Sequence, residues 1–151
     1  MVRIWSRCAC AGSDIMEGNP TLTLAIVWQL MRSYTLALLS RLGAGALVTE
    51  TEIVDWANRR AGTRVKNFQD KSLRSSEPIL RLIDTLQPGT VDWSLVGEEE
   101  DRFLSNAKYA VTSARRIGAP VYALPEDIVA GRHKMIMTVF ASLMLTDMDG
   151  N

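Results

Sequence analysis

"DIMEGNPTLTLAIVWQLM", residues 14–31, lies on "DIVAGRHKMIMTVFASLM", residues 127–144, without a gap. The Asp-Ile pair, the glycine and the closing Leu-Met coincide, and between them Leu22 meets Met135, Leu24 meets Met137, Ile26 meets Val139 and Val27 meets Phe140. The offset of 113 residues is the size of a small domain. A self-match at such a period sets the fold reading, because each copy is then the closing element of a unit of one kind. The second copy has a domain's worth of sequence in front of it and the first does not. Residues 14–42 are therefore predicted to be the closing helix of a truncated neighbour, and residues 1–13 an unrelated leader.

Working outward, Pro20 after Asn19 starts a helix and Gly43 with Gly45 stops it, which predicts a helix over 20–41. Leu22, Ile26, Val27, Leu30, Met31, Tyr34 and Leu38 make one apolar face, and Leu24, Trp28, Leu36, Leu39 and Leu42 cover others. A helix apolar on so many sides needs cover. Two covers are open to it: folding back on the domain, or self-association with a second chain. "GAGAL" (43–47) reads as a hinge.

Thr49-x-x-Glu52 is a capping box that opens a helix over 50–61 with Ile53, Trp56 and Ala57 inward. Residues 62–76 read as irregular. Glu77-Pro78 starts a helix through Leu86 that "QPG" ends, and Trp93, Leu95 and Val96 are predicted to form a short buried turn. A longer helix is predicted over 98–117, with acids at its start and Arg115 and Arg116 at its end. "LPEDIV" gives a helical turn, and residues 134–145 close a globule built around Ile136 and Phe140. No alternating apolar pattern marks a strand, so the class is all-α, with the complete domain over 48–146.

The 17 basic and 17 acidic side chains cancel, which gives no global attraction to nucleic acid or to an anionic membrane and excludes both as expected partners. Cys8 and Cys10, one residue apart, do not suit a disulfide and have no companions for a zinc site, so a reduced intracellular chain is expected. The leader lacks the apolar run of a signal peptide, and the Leu22–Met31 run ends at Arg32, too short to span a bilayer.

Catalytic candidates are few. His133 is the sole histidine and has no companion groups in the pattern; "GAGA" lacks a preceding strand and a third glycine. Glu98 to Asp101 suits the start of a helix better than a cation loop, and "DMDGN" stops before the later ligands of a calcium loop. No enzyme activity, cofactor or metal is expected. Arg59, Arg60, Arg64 and Lys66 gather at the end of the 50–61 helix, either as a solvated face or as a contact for an acidic partner.

"EGNPTLTLAIVWQLMRSYTL", "NFQDKSLRSSEPILRLIDTLQPGTVDWSLV" and "NAKYAVTSARRIGAPVYALPEDIVAGRHKMIMTVFASLM" resemble the calponin-homology domains of the fimbrin (plastin) family. More narrowly, they resemble the end of its third domain followed by the whole fourth. The resemblance implies a cytoplasmic protein of the actin cytoskeleton that binds F-actin and, as tandem domain pairs, bundles filaments under the control of amino-terminal EF-hands. Carried over by position, it implies actin contacts at Arg32 and Arg41 on the first helix and at Arg59, Arg60, Arg64 and Lys66. It also implies that the chain alone binds weakly. A protein-interaction scaffold that uses the same fold without actin is the alternative.

Overall fold

The computed structural model describes residues 20–42 and 48–150, with the side chains of residues 20–22, 35, 36, 38, 39, 41 and 42 outside the description. The leader with its two cysteines, the first Asp-Ile turn, the 43–47 hinge and the Arg41 side chain therefore lie outside the described residues. Helices α1 (Pro20–Leu42), α2 (Glu50–Ala61), α3 (Glu77–Leu86), α4 (Phe103–Arg116), α5 (Pro125–Val129) and α6 (His133–Asp149) follow in order. Short 3₁₀ turns lie at Lys71–Ser75, Trp93–Leu95 and Glu100–Arg102. Among the described residues there is no strand, as the pattern required.

A helix that is apolar all round belongs in the middle of a globule, and α6 is there. Every residue from Ile136 to Leu145 is buried. Helices α1, α2, α3 and α5 all touch it. Phe140 sits against Phe68 with ring centroids 5.4 Å apart and planes tilted by 52°, a favoured aromatic geometry. Helix α3 buries Ile79, Leu80, Leu82 and Ile83, while α4 presents Ala107, Ala110 and Ala114, small residues that let neighbouring backbones approach.

The local start and stop chemistry is as read. Thr49 Oγ1 accepts the Glu52 N–H at 3.3 Å and Glu52 Oε2 accepts the Thr49 N–H at 2.7 Å, closing the capping box. Gly62 ends α2 in the left-handed region (φ 67°), where its N–H reaches the Asn58 carbonyl.

Four expectations need correction. Helix α4 begins at Phe103 rather than Glu98. Buried Asn106 donates to the Gly97 carbonyl at 2.7 Å and accepts the Gly97 N–H at 3.1 Å, which holds the preceding residues out of the helix. The Trp93–Leu95 turn exists, but Trp93 and Leu95 are 41% and 54% exposed and only Val96 is half-buried. Helix α6 continues four residues past Leu145, because Asp147 finds partners on α2. The apolar face assigned to the first helix is split: Ile26 is buried against the globule, while Val27, Leu30 and Tyr34 face outward.

Ser76 is the non-glycine residue of the described chain with positive φ (62°), and its fully buried hydroxyl has no hydrogen-bond partner. A side chain in this region is strained by about 1–2 kcal/mol, which exceeds the entropic cost of glycine. Ser76→Gly is therefore expected to stabilise the fold by about 1 kcal/mol, read as a rise of about 3 °C in the melting midpoint. A fall in the midpoint would contradict this account.

Candidate functional site

The C-terminal end of α2 and the loop behind it carry the cationic cluster, and Asn58 builds it. Asn58 Nδ2 donates to the Val65 carbonyl at 2.7 Å, and Oδ1 accepts the Val65 N–H at 2.9 Å and the Thr63 hydroxyl at 3.0 Å. With Gly62 turning the chain, these bonds tie the loop at Thr63 and Val65 to the last turn of α2, and Arg64 and Lys66 stand exposed on it. Asp70 fixes the far end of the loop, accepting the Lys66 N–H at 3.1 Å and the Ser72 N–H at 3.0 Å.

Asp70 titrates below the ordinary carboxylate value of 3.8. The chief cause is the Lys66 backbone hydrogen bond, followed by that of Ser72, with the Lys66 charge a smaller contribution. A depressed folded pKa contributes stability that is complete above the unfolded value and disappears as pH falls through the folded one. Asp70→Asn is therefore expected to be less stable than the parent at neutral pH, with the gap closing as pH falls below the ordinary carboxylate value of 3.8. Chemical denaturation from neutral pH down through the acid range checks it, and a gap independent of pH would contradict it.

The four cations are not equivalent. Arg60 Nη2 lies 2.7 Å from Asp147 Oδ1, and Asp147 Oδ2 accepts the Trp56 indole N–H at 3.1 Å. Arg60 is thus tied to the end of α6, and a good part of its charge is answered within the chain. The Arg59 Nε donates to the Asp55 carbonyl of its own helix at 3.3 Å, and among the described residues no carboxylate pairs with its guanidinium. Trp56, Arg59, Arg60 and Asp147 line a shallow depression beside the cluster.

Arg32 is elsewhere. Its guanidinium lies 3.7 Å from Glu50 in the first turn of α2 and 5.7 Å from the centre of the Trp28 ring, which the Lys134 ammonium also approaches, at 4.9 Å. Glu50 and Arg59 stand at opposite ends of α2, about 14 Å apart along its axis. Of the residues singled out by sequence, Arg59 and Arg60 share the last turn of α2, Arg64 and Lys66 stand exposed on the loop that follows it, Arg32 reaches Glu50 at the other end of α2, and the Arg41 side chain lies outside the described residues. Asn58, Asp70 and Asp147, which organise the cluster, were not found by sequence reading. The signal available for Asn58 was its place four residues before a helix-ending glycine.

His133 has no catalytic companions among the described residues, and no group of three His, Cys, Asp or Glu residues is arranged to hold a metal ion there. Asp127, which lies near it, serves the backbone. It accepts the Leu124 N–H at 3.0 Å and pairs with Arg132 at 2.9 Å, fixing the entry to α6. No described helix is long and apolar enough to cross a membrane.

The arrangement of α2 to α6 around a buried closing helix has a family counterpart. Residues 47–149 match the model described as the calponin homology (CH) domain. The chain belongs to the calponin homology domain family. Its CH domain is similar to curated relatives: Plastin-3 of Danio rerio is 51% identical over 148 residues, and Plastin-1 of Mus musculus 49% over 149. Each alignment takes in 93% of this chain and 24% of the relative, so the chain spans about a quarter of their length. The likeness therefore runs upstream of the CH domain through α1. The solved structure of the actin-crosslinking core of Schizosaccharomyces pombe fimbrin superposes with a TM-score of 0.70 at 33% identity, covering 91% of this chain and 30% of that one.

Proposed function

We propose that this chain is an actin-filament binding module of the fimbrin and plastin type, working at the actin cytoskeleton in the cytoplasm. The observation that carries the reading is the likeness, over nearly the whole chain, to a solved actin-crosslinking core. The module proper is the CH domain over 48–146, and α1 is the closing helix of a second unit of the same kind, the counterpart of α6. Arg59, Arg64 and Lys66 make the main contact with the acidic filament, and Arg60, held by Asp147, contributes less. Arg32 and Arg41, on α1, make a second contact.

Attraction between exposed cations and an acidic surface is long-range and screened by salt. Binding by one small basic patch is correspondingly weak, and a monomer with one such patch does not bundle filaments. High-speed cosedimentation of the folded chain with F-actin is expected to give pelleting at low salt that fades by about 0.3 M, where the Debye length is well under 10 Å. Absence of pelleting at low salt would overturn the reading.

A further inference from the structure

Trp56, Arg59 and Arg60 stand three and four residues apart, a spacing that sets them on one face of α2. With Asp147 they line a depression of about 440 Å³ where the last turns of α2 and α6 meet. Asp147 is out of place by local rules. It lies in the last turn of α6, where the helix dipole disfavours an acid, and no basic residue of that turn answers it. Its partners on α2 are the Trp56 indole N–H, which one carboxylate oxygen accepts at 3.1 Å, and Arg60 Nη2, 2.7 Å from the other. The Asp147 side chain is 14% exposed and that of Arg60 42%, so the acid is set into the depression while the guanidinium keeps an open side.

We infer that this depression is a carboxylate-binding subsite that Asp147 occupies as an internal stand-in, so that an acidic group of a partner competes with Asp147 for Arg60. The existing contact shows the chemistry accepted: a carboxylate met by a guanidinium, with the Trp56 ring as a wall and Arg59 alongside. An ion pair open to solvent on one side contributes little to the fold, so Arg60 can leave it while the domain stays folded. Asp147 then keeps its bond to Trp56, and the external carboxylate gains Arg60 in addition to Arg59. The chain thereby holds the affinity of its own subsite below the ceiling. On the reading proposed above, on which this consequence rests, the external carboxylates belong to the filament and Asp147 tempers filament affinity.

Titration of the full chain with hexaglutamate at low salt, followed by NMR of the Trp56 indole and the arginine guanidinium groups, tests the subsite without actin. In the parent, the Arg59 resonances are expected to shift first. Those of Arg60 and the Trp56 indole N–H follow at higher peptide concentration, as Arg60 leaves Asp147. Arg60 resonances that stay still after those of Arg59 have finished shifting would overturn the inference with no variant needed. Asp147→Asn keeps an acceptor for the indole and removes the competing charge. It is expected to bind hexaglutamate about threefold more tightly, within the range an exposed ion pair is worth. Asp149→Asn, at an exposed position of the same turn, makes the same change in net charge and should gain less. An equal gain there would reduce the effect to net charge and overturn the subsite. Arg60→Gln should cost more affinity in the Asp147→Asn background than in the parent, and equal costs would overturn the competition.

High-speed cosedimentation reports the consequence: Asp147→Asn is expected to hold filaments about threefold more tightly than the parent. Equal filament affinity in the two chains, despite tighter hexaglutamate binding by the variant, overturns the tempering role. A chain that passes the hexaglutamate test and pellets with filaments in neither form upholds the subsite and refutes the actin reading alone.

Discussion

Replacing Phe140 by alanine is expected to cost about 4 kcal/mol, the middle of the range for removing a buried aromatic ring. Phe140 is 2% exposed at the middle of α6, flanked in sequence by nine other buried residues on that helix and packed on Phe68. The space it vacates cannot close, because α2, α3 and α5 meet α6 from different sides and each is held by its own contacts. A loss of this size is a large fraction of the 5–15 kcal/mol available to an ordinary domain. In urea, with a slope of about 2 kcal/mol/M, the midpoint should fall by about 2 M with the slope unchanged. Phe140→Leu, closer in volume, should cost less than half as much. Equal costs for the two would mean that α6 is not the centre of the core.

Asn58→Ala is expected to have the largest effect on the cationic cluster without touching a charge. The side chain makes three hydrogen bonds to loop 62–66, two of them to the main chain of Val65, which is itself buried. Their loss leaves a backbone N–H and C=O to find new partners, at about 2–3 kcal/mol in stability. The loop that carries Arg64 and Lys66 then loses its tie to α2, and filament affinity should fall several-fold although net charge is unchanged. Asn58→Asp keeps the acceptor but not the donor and should fall between. Thermal melting and cosedimentation of the same samples check both halves. A variant that is destabilised yet binds filaments normally would show that the loop geometry is irrelevant to binding.

What the sequence made legible follows from the range of the interactions involved. The capping box at Thr49 and the glycine end of α2 are decided within four residues, and both were readable. The central place of α6 was readable because a helix apolar on all sides has nowhere else to go. Burial of Trp93 and Leu95 was misread for the complementary reason: in a three-residue turn, apolar character does not fix direction, and large apolar side chains are common at protein surfaces. The late start of α4 depends on Asn106, whose amide also donates to the Ser75 carbonyl 31 residues away. The reduced role of Arg60 depends on Asp147, 87 residues away. Neither pairing leaves a trace in local pattern. The cationic cluster itself was visible as composition, but its division into free and tied members was not.

The central claim is that the exposed cations Arg59, Arg64 and Lys66 hold the filament. Its most direct test is high-speed cosedimentation, at low salt, of the parent and of Arg59→Glu/Arg64→Glu/Lys66→Glu. All three positions are exposed, so the triple variant should keep the parent's melting behaviour. A loss of filament affinity of at least about 10-fold, or about 1.4 kcal/mol, is the expected result. Pelleting equal to that of the parent by a folded triple variant would contradict it.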